Sequence, residues 1–143
     1  MRNRRMRNQR GAALLETAIT LPILLLVCVA IFEFGRAYQT WQVLTNAARE
    51  GARVAVIVGN TDTMVTDAVV TYANIGGITV APGEISINRS SPLGSWSGST
   101  VTVAHPFSFI VLNPIAKLIA SGSKTGEPLT MTAVATMRNE VGS

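Results

Sequence analysis

The chain is short of the residues that do chemistry. It has one cysteine, one histidine, and no acid before Glu16. A lone Cys28 cannot form an intramolecular disulfide, so cysteine usage does not report a redox compartment. It lies mid-way through an apolar run and reads as a small lipid-facing or packing residue. His105 stands alone beside Pro106, and metal sites need several ligands, so it reads as structural. Asp62, Asp67, Glu84, Glu127 and Glu140 are scattered without paired spacing. The serines gather in loops with no base nearby, and no glycine-rich phosphate loop follows a strand. Hydrolytic triads, metal centres and nucleotide sites are therefore not expected. The reading is of a non-enzyme with no cofactor and no small-molecule substrate.

Excess positive charge is present but confined. Arg2, Arg4, Arg5, Arg7 and Arg10 are five of the twelve basic residues. Without residues 1–11, seven basic groups face eight acidic ones, a net of −1. Nucleic-acid binding, which the net charge of +4 invites, is not expected, because that basicity belongs to a leader beside an apolar segment. Such placement is a membrane-topology signal.

What the sequence does have is a long hydrophobic run. Thr17 to Phe32 carries no charge, and only Glu16 and Glu33 interrupt the apolar character from Gly11 to Phe34. Twenty-four helical residues reach about 36 Å, enough for a hydrocarbon core of about 30 Å. Five preceding arginines set the N-terminus in the cytoplasm and the rest of the chain outside. A cleaved secretory signal is the alternative, with Gly35-Arg36-Ala37 as a loose cleavage match. The run is long for such a signal, and helical character continues beyond it. Pro22 lies inside the span, where it removes one hydrogen bond and tends to kink the helix.

From Glu33 to Val58 there is no proline. Val43, Leu44, Ala47, Ala48, Gly51, Ala52 and Ala55 recur at helical spacing, with Asn46, Arg49, Glu50 and Arg53 opposite. Glu33–Arg36 and Glu50–Arg53 are i,i+3 pairs that give small helical support. The stripe of small residues allows close packing, either on the chain's own sheet or between subunits. A helix from Leu14 to Val58 would be about 67 Å long, with Tyr38 and Trp41 as an aromatic belt just past the span. Gly59-Asn60 is its expected stop.

Beyond it, Asp62 is expected to cap a helix from Thr63 to Ala73, with Met64, Val65, Ala68, Val69 and Tyr72 on one face and Gly76-Gly77 at its end. Ile78-Thr79-Val80 and Glu84 to Ile87 read as strands around a Pro82-Gly83 turn. Residues 88–99 read as an exposed loop, in which Trp96 is either a recognition residue or an anchor folded onto the core. Asn88-Arg89-Ser90 matches a glycosylation pattern too short to assign. Thr100 to Ala104 alternates as a strand. Asn113-Pro114 opens a short helix ended by Gly122. Residues 121–128 read as a flexible loop. Leu129, Met131, Ala133, Ala135 and Met137 form one face of a final strand. The pieces assemble as α+β, a long N-terminal helix on a small antiparallel sheet. The expected segments are a basic leader (1–11), a transmembrane helix (12–34), the outer half of the long helix (35–58) and an extracytoplasmic domain (59–143).

A glycine, four residues and a glutamate opening an apolar helix, here Gly11 to Glu16, resembles the processing site of type IV prepilins. Over about the first 55 residues the resemblance narrows to the TadE-like family, pilin-like proteins of the tight-adherence (Flp) pilus system. The matching elements are Arg10-Gly11-Ala12, Glu16, Leu21-Pro22, Glu33-Phe34-Gly35-Arg36 and Asn46 to Arg53. Ala135 to Glu140 also resembles that family's close. Thr17 departs from it, since an aromatic residue often follows the glutamate. The resemblance implies a type IV pilin-like fold and a prepilin peptidase that cuts between Gly11 and Ala12. It implies that Glu16, then fifth in the mature chain, pairs with the N-terminal amine of a neighbouring subunit. It assigns Glu16, Pro22, Ala47, Ala48, Gly51, Ala52 and Ala55 to subunit or helix packing. Expected partners are the membrane, the peptidase, other pilin-like subunits and the assembly machinery. Two other readings remain open: an uncleaved, membrane-anchored extracytoplasmic binding domain, and an enzyme on a signal anchor.

Overall fold

The computed structural model describes residues 2–119 and 128–140. One helix, α1 (Arg2–Ala55), dominates it. It begins earlier than the expected Leu14, because the leader contains no proline and arginine, methionine and glutamine are good helix formers. Pro22 is accommodated inside it. Thr17 and Thr20 fold their hydroxyls back onto the carbonyls of Ala13 and Glu16, each at 2.9 Å, so neither leaves an unpaired donor on the apolar surface. The helix stops at Ala55, short of the expected Val58. The Asn60 amide reaches back to the Val54 carbonyl at 3.0 Å, and Arg89 Nη1 takes the Ala55 carbonyl at 2.8 Å. Gly59, at φ 91°, turns the chain in a region that favours glycine.

The second helix, α2 (Asp62–Ile75), is capped by Thr61 rather than the expected Asp62. The Thr61 hydroxyl accepts from the Met64 N–H, while Asp62 sits in the first turn and pairs with Arg89. Its buried stripe is Val65, Val69 and Ala73. Met64 and Tyr72, expected on that face, are exposed. The helix ends at Gly76 as expected, and here the glycine permits a close approach. An added Cβ would lie 2.5 Å from Val43 Cγ1 on α1.

Ile78 to Val80 does not form the expected strand; it has no ladder partner among the described residues, although Val80 is buried. Pro82–Glu84 is a turn of 3₁₀ helix. The larger correction concerns residues 88–99. They are no loop but most of a hairpin, formed by β1 (Ile85–Leu93) and β2 (Trp96–Phe107). Leu93 faces Trp96 across the two-residue turn Gly94-Ser95, with Gly94 at φ 61°. A glycine-first two-residue connection is a hairpin signature, hidden here by the serine-rich composition around it. The register slips between Asn88 and Ser91, where the Asn88 side chain accepts from the Ser90 N–H.

A short helix, α3 (Leu112–Ile119), follows β2, and β3 (Leu129–Arg138) pairs antiparallel with β2 from Phe107–Leu129 to Gly98–Arg138. The sheet order is β1-β2-β3. The expected loop at 121–128 lies outside the described residues except for Pro128. β3 forms as expected, with Ala133 and Ala135 buried and Leu129 exposed at its start. The fold is α+β as expected: a long N-terminal helix on a three-stranded antiparallel sheet.

The core lies against the last three turns of α1. Leu44, Ala47, Ala48, Ala52 and Ala55 meet Val65, Val69 and Ala73 of α2, Val101 and Val103 of β2, and Ala133 and Ala135 of β3. Gly51 marks the tightest point. A Cβ there would collide with Val69 Cγ2 and come within 3.2 Å of Val101 Cγ1. Small side chains on α1 let a helix and a sheet both approach its axis, which close packing of larger ones would prevent.

Candidate functional site on the long helix

The helix has two environments. Its second half packs into the domain just described. In its first half, Leu14, Leu15, Ile19, Ile23, Leu24, Leu25 and Leu26 are all more than half exposed. Among the described residues this is the one helix long and apolar enough to cross a membrane, and its most apolar stretch is wholly unburied in the fold. An apolar surface of this extent demands a nonaqueous partner, since each fully exposed leucine or isoleucine forgoes about 1.5–3 kcal/mol of burial.

Gly11, Ala12 and Glu16 lie in exposed positions at the start of this surface. Pro22 and Cys28 are exposed on it as well. Ala47, Ala48, Gly51, Ala52 and Ala55 are elsewhere, buried in the domain. The expected packing residues therefore fall into two groups. Glu16 and Pro22 face outward, and the small residues face the chain's own α2 and sheet.

A polar node sits where the two halves join. Glu33 is fully buried. Its carboxylate accepts hydrogen bonds from the Ile110 N–H and the Val111 N–H, each at 2.8 Å, and from Arg36 at 3.3 Å. Arg36 also donates to the Ser108 carbonyl at 2.5 Å and stacks its guanidinium 4.6 Å from the Phe107 ring centre. Phe107, Phe109 and Phe34 continue the cluster edge to face, with centroids 5.2 and 5.9 Å apart. A charge taken fully out of water persists only when its acceptors are filled, and here two backbone N–H groups and one guanidinium fill them. The sequence reading saw Glu33–Arg36 as a helical pair. It did not foresee the partners at 108–111. The available signal was an acid at the end of an apolar run, where an unpaired carboxylate would be costly.

The distal end is tied by Arg89. Its Nε pairs with Asp62 at 2.7 Å while Nη1 takes the Ala55 carbonyl, so β1 is linked to the end of α1 and the start of α2. Asn139 donates to the Arg89 carbonyl at 3.0 Å. Farther along α1, Glu50 and Arg53 form an exposed pair with a bidentate geometry. The hydrogen bond from Arg53 holds the Glu50 carboxyl below its ordinary value, against the opposing effect of burial, and the Arg53 guanidinium is raised in turn. His105 Nδ1 lies 2.8 Å from Glu84 Oε2, joining β2 to the 3₁₀ turn. Trp96 opens β2 at the hairpin turn, with the Arg138 guanidinium 3.4 Å over its ring.

An exposed apolar helix of membrane-spanning length runs on into a small α+β domain, so that one element carries the apolar surface and also contributes to the core. Residues 11–53 match the family described as TadE-like protein, and the chain is TadE-like over this segment. That family is pilin-like and associated with the tight-adherence pilus, structural rather than catalytic. The match ends within α1, so α2 and the sheet lie outside it. No curated protein and no solved structure matches the chain.

Proposed function

We propose that this protein is a pilin-like structural or assembly component, a minor pilin or pseudopilin, of a tight-adherence Flp pilus or a related type IV filament system. In this reading residues 1–11 are a cytoplasmic leader, residues 12–34 cross the cytoplasmic membrane, and residues 35–143 are extracytoplasmic. One observation carries it: the segment that matches the TadE-like family is a single helix whose first half is exposed and apolar and whose second half is the spine of a folded domain.

Processing between Gly11 and Ala12 would remove the five arginines that hold the N-terminus on the cytoplasmic side. A peptidase acts on extended backbone, so this part of the helix must open first. Glycine at position 11 lowers helix stability there by about 1 kcal/mol relative to alanine. Cleavage creates an amine at Ala12. The Glu16 carboxylate, costly at about 2.5 kcal/mol or more towards the bilayer centre, strongly favours a cationic partner in low dielectric. The amine of an adjacent subunit supplies one. Lateral packing then uses the exposed apolar face, because the small residues of the outer half are already packed within the domain.

Mass spectrometry of the protein extracted from membranes tests this directly. Loss of residues 1–11 is expected in cells with an active prepilin peptidase. An intact N-terminus under those conditions would favour the uncleaved binding-domain reading instead. A Glu16→Ala variant that assembles at the normal level would remove the pairing role while leaving the family assignment standing.

A further inference from the structure

We infer that the segment Ser108–Val111, which leads into α3, is seated in the outer leaflet of the membrane beside the end of the span, in contact with lipid acyl chains. The inference rests on the proposed membrane crossing of α1. Its depth is set by hydrogen bonds. Ile110 and Val111 donate to Glu33, and Ser108 accepts from Arg36, so the segment lies at the level of helix residues 33–36. Tyr38 and Trp41, both substantially exposed, sit farther out along the same helix with their rings 6.3 Å apart. If these aromatics mark the interface, Phe34 lies about 6 Å inside it at 1.5 Å per residue, and the pinned segment lies there too.

The surface of the segment fits that depth. Ile110 is 61% exposed and Val111 37%, and on α1, on either side of Glu33, Phe32 is 67% and Phe34 61% exposed. Phe109 packs edge to face on Phe34, so the apolar surface of the span runs onto the loop without a polar break. Residues 106–116 contain no charged side chain. The backbone is also prepared for a dry setting. Irregular backbone within a membrane must find its partners inside the protein, and the buried Glu33 carboxylate supplies acceptors for two consecutive N–H groups of a loop. In water those groups would need no such arrangement.

The test uses the full chain reconstituted in vesicles of phosphatidylethanolamine and phosphatidylglycerol. In a Cys28→Ala background, Phe32→Cys, Ile110→Cys and Val58→Cys variants each carry one nitroxide label, and collision with oxygen is compared with collision with a water-soluble nickel chelate. All three positions are exposed in the fold, so the labels leave the core untouched. The oxygen-to-nickel ratio is expected to be several-fold higher at 32 and 110 than at 58, which lies past the distal end of α1. A nickel-accessible label at 110 with a lipid-facing label at 32 would overturn the inference and leave the membrane span intact. Nickel access at 32 as well would overturn both. A label at 110 shielded from both reagents, with dipolar broadening between copies, would assign the patch to a second subunit and equally overturn it.

Discussion

The Glu33 carboxylate accepts the Val111 N–H at 2.8 Å across 78 positions of sequence. This contact joins the end of the apolar half of α1 to the segment between β2 and α3. Glu33→Ala would leave two loop N–H groups without their acceptor and Arg36 without its carboxylate partner. Protease cleavage and amide exchange at residues 108–112 are expected to rise markedly, while the β2–β3 ladder stays protected. Glu33→Gln keeps an acceptor oxygen and should give an intermediate result. Unchanged exchange at 110 and 111 in the alanine variant would show that the node does not hold the loop.

Two glycines of α1 should respond oppositely to substitution. Gly51 has Val69 and Val101 against it, whereas nothing lies within 4 Å of a Cβ at Gly35. Gly51→Val is expected to destabilise by about 1–3 kcal/mol through overpacking. Gly35→Ala should be neutral or stabilising by up to about 1 kcal/mol from helix propensity. Urea denaturation in detergent, followed by the signal of the β-sheet domain, measures both.

Arg89 closes the distal end of the domain. Arg89→Ala removes the donor to the Ala55 carbonyl and the partner of Asp62, with an expected cost of about 1–2 kcal/mol. Asp62→Asn should cost much less, because Asp62 is two-thirds exposed at 67% and exposed ion pairs contribute little. Equal losses in the two variants would mean that the ion pair, and not the helix-end carbonyl, is what Arg89 serves.

The Glu50–Arg53 pair gives a small acid dependence. Glu50 is held below its ordinary value of 4.5 by the Arg53 hydrogen bond. A carboxyl with a lowered folded pKa contributes stability that is present above the unfolded value and lost as pH falls through the folded one. The contribution is small, because solvent screens an exposed pair. Denaturation midpoints of the wild type and Glu50→Gln should differ at neutral pH and converge in acid below 4.5. A constant difference across that range would place the effect of the substitution elsewhere.

The elements legible in advance were those with a strong local period. The apolar run, the small-residue stripe, the alternation of Ala133 and Ala135 in β3 and the glycine stop of α2 all carry their pattern within a few residues. The errors arose where local composition opposed pairing. Residues 88–99 look like a loop because serine and glycine dominate, yet β2 has β3 on its other edge and holds them in a hairpin. Ile78 to Val80 has strand-like residues but no ladder partner among the described residues. Thr61, and not Asp62, is the cap because the helix begins one residue earlier than its spacing suggested; Asp62 lies in the first turn and pairs with Arg89 instead.

By itself the sequence determined that this chain has a basic N-terminal run, an apolar stretch of membrane length and a TadE-like N-terminal segment, since charge asymmetry and hydrophobic periodicity are properties of neighbouring residues. The tertiary structure decided that the small-residue stripe is buried between α2 and the sheet. It also decided that Glu33 is a buried acceptor for a loop 77 positions away. Those outcomes depend on which distant groups arrive to fill a groove or a lone pair, and long-range closure fixes that choice only when the whole chain is folded.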